Sequence, residues 1–90
     1  MEIAFDLAKR AKTLAERGLD FVDAADVLAT AIAAFEDRRL DYPEPRTVTF
    51  GLLNGRLLAV VTTPTDNGIR VISMRKANAR EQAKYRKRMD

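Results

Sequence analysis

An Asn54-Gly55 pair separates two apolar runs, and little else in the chain limits its possible folds so tightly. Both residues tolerate positive φ, as a two-residue hairpin turn requires, so the flanking segments should lie antiparallel. In residues 46–53, Arg46, Val48, Phe50 and Leu52 alternate with Thr47, Thr49, Gly51 and Leu53. Residues 56–63 (RLLAVVTT) are apolar on both faces and rich in β-branched side chains, as a central strand covered on both sides would be. A loop from Pro64 to Gly68 leads to a third run, 69–75 (IRVISMR), and an antiparallel three-strand meander is the economical arrangement. Strict alternation along that run groups Arg75 with Ile69, Val71 and Ser73, and sets Arg70 with Ile72 and Met74 on the other face.

Helical signals flank the meander. Residues 6–17 read as an amphipathic helix capped by Asp6, with Leu7, Ala8, Ala11, Leu14 and Ala15 at three- and four-residue spacing. Gly18 stands where a left-handed C-cap would close it, after Arg17 in the last turn. A second helix is expected from Phe21, with Asp20 as cap and Ala24, Val27 and Leu28 as its face. Residues 29–35 favour helix by propensity, and DYPEP at 41–45 then breaks regular structure. Asn78 with Glu81 forms a capping box for a last helix. That helix carries Arg80, Lys84, Arg86, Lys87 and Arg88 but offers only Ala79, Ala83, Tyr85 and Met89 for packing, so it should be the least protected element.

The 90 residues read as one domain, 1–90, with no repeat or linker. No apolar run reaches the ~18 residues of a membrane span and no signal peptide is apparent, so a soluble, cytoplasmic protein is expected. The chain has neither Cys nor His, which removes thiol nucleophiles, the usual metal ligands and the commonest general base. No metal or cofactor is expected; Asp20, Asp23 and Asp26 could line a helix face for Mg²⁺, but they suit a helix N-terminus better. The net charge of +3 is unevenly spread: residues 1–45 hold six cations and ten carboxylates, residues 46–90 ten cations and three carboxylates. A basic second half suits a polyanion partner, although a solvated basic helix would show the same composition. Among the strand segments the chemistry left is guanidinium: Arg46, Arg70 and Arg75. Arginine beside apolar strand residues calls for a partner, either phosphate or an internal carboxylate.

The order of motifs resembles the BrnT family of ribonuclease toxins from bacterial type II toxin–antitoxin systems. Phe5-Asp6-Leu7-Ala8-Lys9 is similar to its aromatic-Asp-x-x-Lys opening, Gly18, Phe21 and Ala24 to its Gly-x-x-Phe-x-x-Ala junction, and Glu44, Arg46 and Gly51 to its acidic-then-Arg strand. The most specific match is IRVISMRKA at 69–77, followed by Glu81 and Tyr85. Thr13 stands where the family usually shows Asn, and Arg17 where it shows His before the helix-ending glycine. The resemblance implies an α+β, RelE-like toxin fold: two N-terminal helices, an antiparallel sheet of three to four strands and a C-terminal helix. It also implies a strand near residues 31–36, against propensity. It implies RNA cleavage, blocked translation and growth arrest, neutralisation by a cognate BrnA-like antitoxin, and contact with operator DNA only through the antitoxin complex.

RNA cleavage without a metal needs a proton acceptor, charge to stabilise a phosphorane, and a proton for the 5′-oxygen. Arg46 and Arg75 are the first candidates for phosphate, Arg70 the next. Lys9 or Glu44 is the candidate base, and Tyr85 could stack on a base or donate a proton. Lys76, Arg80 and Lys84 are candidate RNA contacts. A Glu44–Arg46 ion pair and a solvated Lys9 are the structural alternatives. A non-catalytic nucleic-acid-binding module and a protein-interaction module are the rival functions.

Overall fold

A computed structural model of the protein describes residues 2–89. Its elements are β1 (Glu2–Phe5), α1 (Leu7–Arg17), a 3-10 turn (Phe21–Asp23), α2 (Ala24–Ala29), β2 (Ala33–Glu36), β3 (Thr47–Leu53), β4 (Arg56–Pro64), β5 (Gly68–Lys76) and α3 (Ala79–Met89). The hairpin forms as the Asn-Gly pair demands: Asn54 and Gly55 take φ of 52° and 78°, and Leu53 pairs with Arg56. β4 is the central strand and β3 and β5 flank it antiparallel, so the expected meander is present.

The expected RelE-like arrangement, with two N-terminal helices and an antiparallel sheet of three to four strands, is not what the chain forms. The sheet has five strands in the order β1-β5-β4-β3-β2, and it is mixed, because the opening strand β1 runs parallel to β5. Four residues (EIAF) carry too little periodicity to announce a strand; the pairing comes from β5, 66 positions along the register from Glu2↔Gly68 onward. Gly68 makes that approach possible, since a Cβ there would collide with the backbone of Glu2. Ahead of the meander only α1 is a full helix. The second expected helix is reduced to the 3-10 turn and the six-residue α2. The strand β2 does form against propensity, with Phe35 opposite Val48 and its ring 6.1 Å from that of Phe50.

β4 has two buried faces, as its composition indicates. Leu58 and Val60 join Leu19, Phe21, Ala24, Val27, Val71 and Met74 in one cluster under α2. Leu57 and Ala59 join Val48, Phe50, Ala77 and Tyr85 in another under α3. Full burial of each such apolar side chain is worth about 1.5–3 kcal/mol. α2 sits directly on β3 because position 51 lacks a Cβ, which would overlap the Val27 carbonyl.

Two expectations about faces are corrected. On β5 the pairing runs Val61↔Ser73 and then Thr62↔Val71, so Ile72 is an inserted bulge residue. Val71 and Met74, three apart, therefore enter the same cluster, whereas Ser73 and Arg75 turn to the α3 side; Arg75 shares a face with Ser73 but not with Val71. On α1 the helix is as expected, with Asp6 accepting from the Lys9 amide and Gly18 left-handed at φ 68°, yet none of its residues is buried. It leans on the sheet through Arg10, Thr13 and Arg17, and its Leu/Ala face points to solvent.

Candidate active site

The bulge and the α1 cap together shape the ground between α1 and the sheet. Asp6 ends β1 and starts α1 within one residue, which sets Lys9 in the first turn beside β5. Arg46 leads into β3, with its Nη2 3.1 Å from Glu44 Oε1 and its guanidinium 4.0 Å from the centre of the Tyr42 ring. Arg70 stands on β5 opposite Thr63. Lys9, Glu44, Arg46 and Arg70, drawn from α1, from the loop before β3 and from β5, line one hollow of about 230 Å³ with Asp6 and Ile72. Among the described residues, neither Lys9 nor Arg70 has a carboxylate partner, whereas Arg46 does.

Lys9 and Ile72 also border a smaller hollow with Lys12, Thr13, Arg17 and Ser73. Arg17 and Ser73 in turn border a larger cleft of about 410 Å³. Its floor is Val48, Phe50 and Val61; Phe35 forms a wall, and Arg17, Arg38, Arg39 and Arg75 supply the rim. The three hollows share lining residues in turn from Arg46 to Arg75, and the track they make is lined by cations and by the carboxylates Asp6, Glu16, Glu36, Asp37, Glu44 and Glu81.

Carboxylates fix most of these guanidinium groups. Arg75 meets Glu81 through two bonds of 2.7 and 2.9 Å, and Glu81 also accepts from the Asn78 amide at 2.9 Å while Asn78 Oδ1 accepts from the Glu81 amide at 2.8 Å. The expected capping box therefore anchors Arg75 as well. The Arg75 hydrogen bond holds the Glu81 carboxyl below its ordinary value and raises the guanidinium. Asp37, whose side chain is 2% exposed, receives Arg39 through two bonds of 2.9 Å and the Tyr42 hydroxyl at 3.2 Å. Chiefly through Arg39, its carboxyl is held down to about 2, with burial opposing. Arg17 Nη1 donates to the Met74 carbonyl at 2.7 Å, next to the bulge.

Of the expected site residues, Lys9, Glu44, Arg46 and Arg70 come together, and Arg75 lies at the far end of the track. Tyr85 is in the core, 7% exposed, with its ring 5.0 Å from that of Phe50. Lys76, Arg80 and Lys84 are exposed on and before α3 and line none of these hollows. Asp20 is engaged by Arg10 at 2.8 Å, and among the described residues no three Asp or Glu side chains converge as metal ligands would. Sequence reasoning missed Arg38, Arg39 and Asp37, which sit in an aperiodic loop without a motif. Arg17 was visible only as a departure from the family's His.

Residues 5–81 match the family model described as the ribonuclease toxin, BrnT, of type II toxin–antitoxin systems. The chain belongs to this family. No curated protein matches it. The span matched by the BrnT model takes in the whole track, from Lys9 through Arg75 to Glu81, and leaves Lys84 and Tyr85 outside. Family membership makes an antitoxin partner part of the protein's description. Among the described residues no helix is long and apolar enough to cross a membrane.

Proposed function

We propose that this BrnT-family chain is an endoribonuclease that cuts RNA without a metal, blocks translation and is silenced by its antitoxin. The observation that supports it is the convergence of Lys9, Glu44, Arg46 and Arg70 on one hollow large enough for a phosphodiester. In this reading the scissile phosphate sits there with Arg46 and Arg70 on its non-bridging oxygens. Glu44 takes the proton of the 2′-hydroxyl as the O2′–P bond forms. The P–O5′ bond breaks as the leaving oxygen takes a proton from Lys9. The products are a 2′,3′-cyclic phosphate and a 5′-hydroxyl. Arg46, already oriented by Glu44, and Arg70, carried on β5, offer their guanidinium forks to the charge of the dianionic phosphorane. Arg17 and Arg75 hold the chain of phosphates beyond the cut, along the track.

Digestion of a defined RNA in EDTA, with end-group analysis, tests the reading. Shortened RNA ending in 2′,3′-cyclic phosphate is the expected result. RNA that is bound but stays intact would assign the track to a non-catalytic nucleic-acid-binding module. Arg70, which has no carboxylate partner to leave stranded, is the sharpest single probe. Arg70→Ala should slow cleavage by ~10²–10³ with the melting temperature unchanged.

A further inference from the structure

α1 presents an apolar face to nothing. Leu7 is 73% exposed and Leu14 44%, and Ala8, Ala11 and Ala15 between them are exposed too. At about 100° per residue, Leu7, Ala11 and Leu14 fall on one line along the helix. That line lies roughly a quarter turn round the helix from the mean direction of Arg10, Thr13 and Arg17, through which α1 meets the rest of the molecule. An exposed stripe at this spacing is how a helix receives an amphipathic partner.

The flanks of the stripe say what kind of partner. Lys12 borders it on one side, and Arg10 and Arg17 on the other, so the charges nearest the apolar line are positive, while Glu16 and Lys9 lie on the far face. Arg10 is already neutralised by Asp20, which leaves Lys12 and Arg17 without a carboxylate partner among the described residues. Lys12 and Arg17 both line the hollows of the proposed RNA track. An acidic occupant of the stripe therefore competes with phosphate.

We propose that the outer face of α1 is the docking surface for the antitoxin. An amphipathic segment of that protein places apolar side chains along Leu7, Ala11 and Leu14 and carboxylates on Lys12 and Arg17. The antitoxin as partner follows from the family; its seat on α1 is the new element, and silencing by capture of Lys12 and Arg17 rests on the ribonuclease reading above. The seat explains why an otherwise well-capped helix keeps its leucines in water.

Isothermal titration of the chain with its cognate antitoxin tests the seat directly. The variant Leu7→Gln/Leu14→Gln keeps helix propensity while removing the apolar anchors, and neither residue lines the track. Its Kd should rise by about 100-fold or more, as loss of two interface anchors does, with its circular dichroism and its RNA cleavage unchanged. Lys12→Glu should weaken binding by at least about tenfold and flatten its salt dependence. An unchanged Kd for the double variant overturns the seat, and an unchanged Kd for Lys12→Glu overturns the acidic character of the occupant. If the chain alone sediments as a dimer that the double variant dissolves, a second copy owns the stripe and the proposal fails. It fails equally if anionic vesicles bind through these leucines while antitoxin binding is untouched. A wild-type chain that leaves RNA intact would sink the ribonuclease reading but not the titration, so the two failures are distinguishable.

Discussion

α1 and α3 are both eleven-residue helices lying against one sheet, and they are held by opposite means. α1 carries a clear Leu/Ala stripe and buries none of its residues. α3 is dominated by Arg and Lys, yet it buries Tyr85 between Phe50 and Ala77 and rests Met89 on the same cluster. Its ends are tied as well: Glu81 receives Arg75, and Arg88 Nη1 donates to the Ile32 carbonyl at 3.1 Å. Among the described residues α1 is tied through cationic side chains, Arg10 to Asp20 and over the Phe5 ring, and Arg17 to the Met74 carbonyl. Periodicity thus tells which side chains share a face, but not which element covers that face. One aromatic anchor outweighs five small or exposed apolar residues.

The largest effect expected from this contrast is on α3. Tyr85→Ala removes a side chain that is 7% exposed and stacked on Phe50, and should cost about 3–5 kcal/mol, as large aromatic truncations in cores do. Chemical denaturation measures it. A loss below about 1 kcal/mol would mean that α3 is held by its ion pairs, and the contrast with α1 would collapse. Hydrogen exchange gives the same comparison without mutation: in the free protein α1 should exchange faster than α3, against the expectation from composition that α3 is the weaker element. Slower exchange in α1 would reverse the order.

Arg75 comes next, because it belongs to both the track and α3. Arg75→Ala should lower kcat/KM for RNA by about tenfold or more, mainly through KM, because this residue grips a phosphate beyond the cut. Stability should fall by no more than roughly 1 kcal/mol, since the pair with Glu81 is partly exposed and Glu81 keeps its bond to the Asn78 amide. Arg75→Lys should restore only part of the rate, because a point charge cannot replace a bidentate fork. Wild-type cleavage by Arg75→Ala would reduce this residue to a strap between β5 and α3.

Much of this arrangement was legible beforehand, for identifiable reasons. The Asn54-Gly55 turn, the doubly buried β4, the Asp6 and Gly18 caps and the Asn78–Glu81 box are local, and local chemistry shows in sequence. β1 was not legible, because its only strand partner is β5, reached across most of the chain. Nor was the bulge at Ile72, since one inserted residue leaves the composition of a strand untouched while reversing its faces. The site divides the same way. Lys9, Glu44, Arg46 and Arg70 could be named from residue type and motif, but only the fold shows that three segments bring them together. Tyr85 reads both as a packing residue of the last helix and, from the motif, as a candidate site residue; its burial depends on Phe50, 35 positions earlier in the chain.

Acid should reveal the polar tether of α1. The Arg10 hydrogen bond, with help from the Val22 amide, holds the Asp20 carboxyl down from 3.8 to about 2. A carboxyl lowered on folding contributes stability that is fully present above its unfolded value and is lost as pH falls through its folded value. Asp20→Asn keeps the capping oxygen toward Val22 and removes the charge. The variant should melt below wild type at neutral pH, and the gap should close between pH 3.8 and about 2. Melting curves across that range measure it, and a gap that persists at the lowest pH would show that the tether is not ionic.

The smallest effect is expected where the sequence pattern is most pronounced. Leu7→Ala and Leu14→Ala each remove three apolar carbons that the free protein leaves largely in water, at 73% and 44% exposure. A buried leucine truncated this way costs about 2–5 kcal/mol, because transfer energy is lost and a cavity remains. Here there is little burial to lose and no cavity to leave, and alanine is the better helix former. Each single variant should therefore stay within about 0.5 kcal/mol of wild type in denaturant titration. The same substitutions measured on the antitoxin complex should cost far more, because there the two leucines become interior. Equal losses in the free chain and the complex would show that α1 is packed by its own protein, and the distinction between a helix held by its neighbours and one waiting for a partner would be lost.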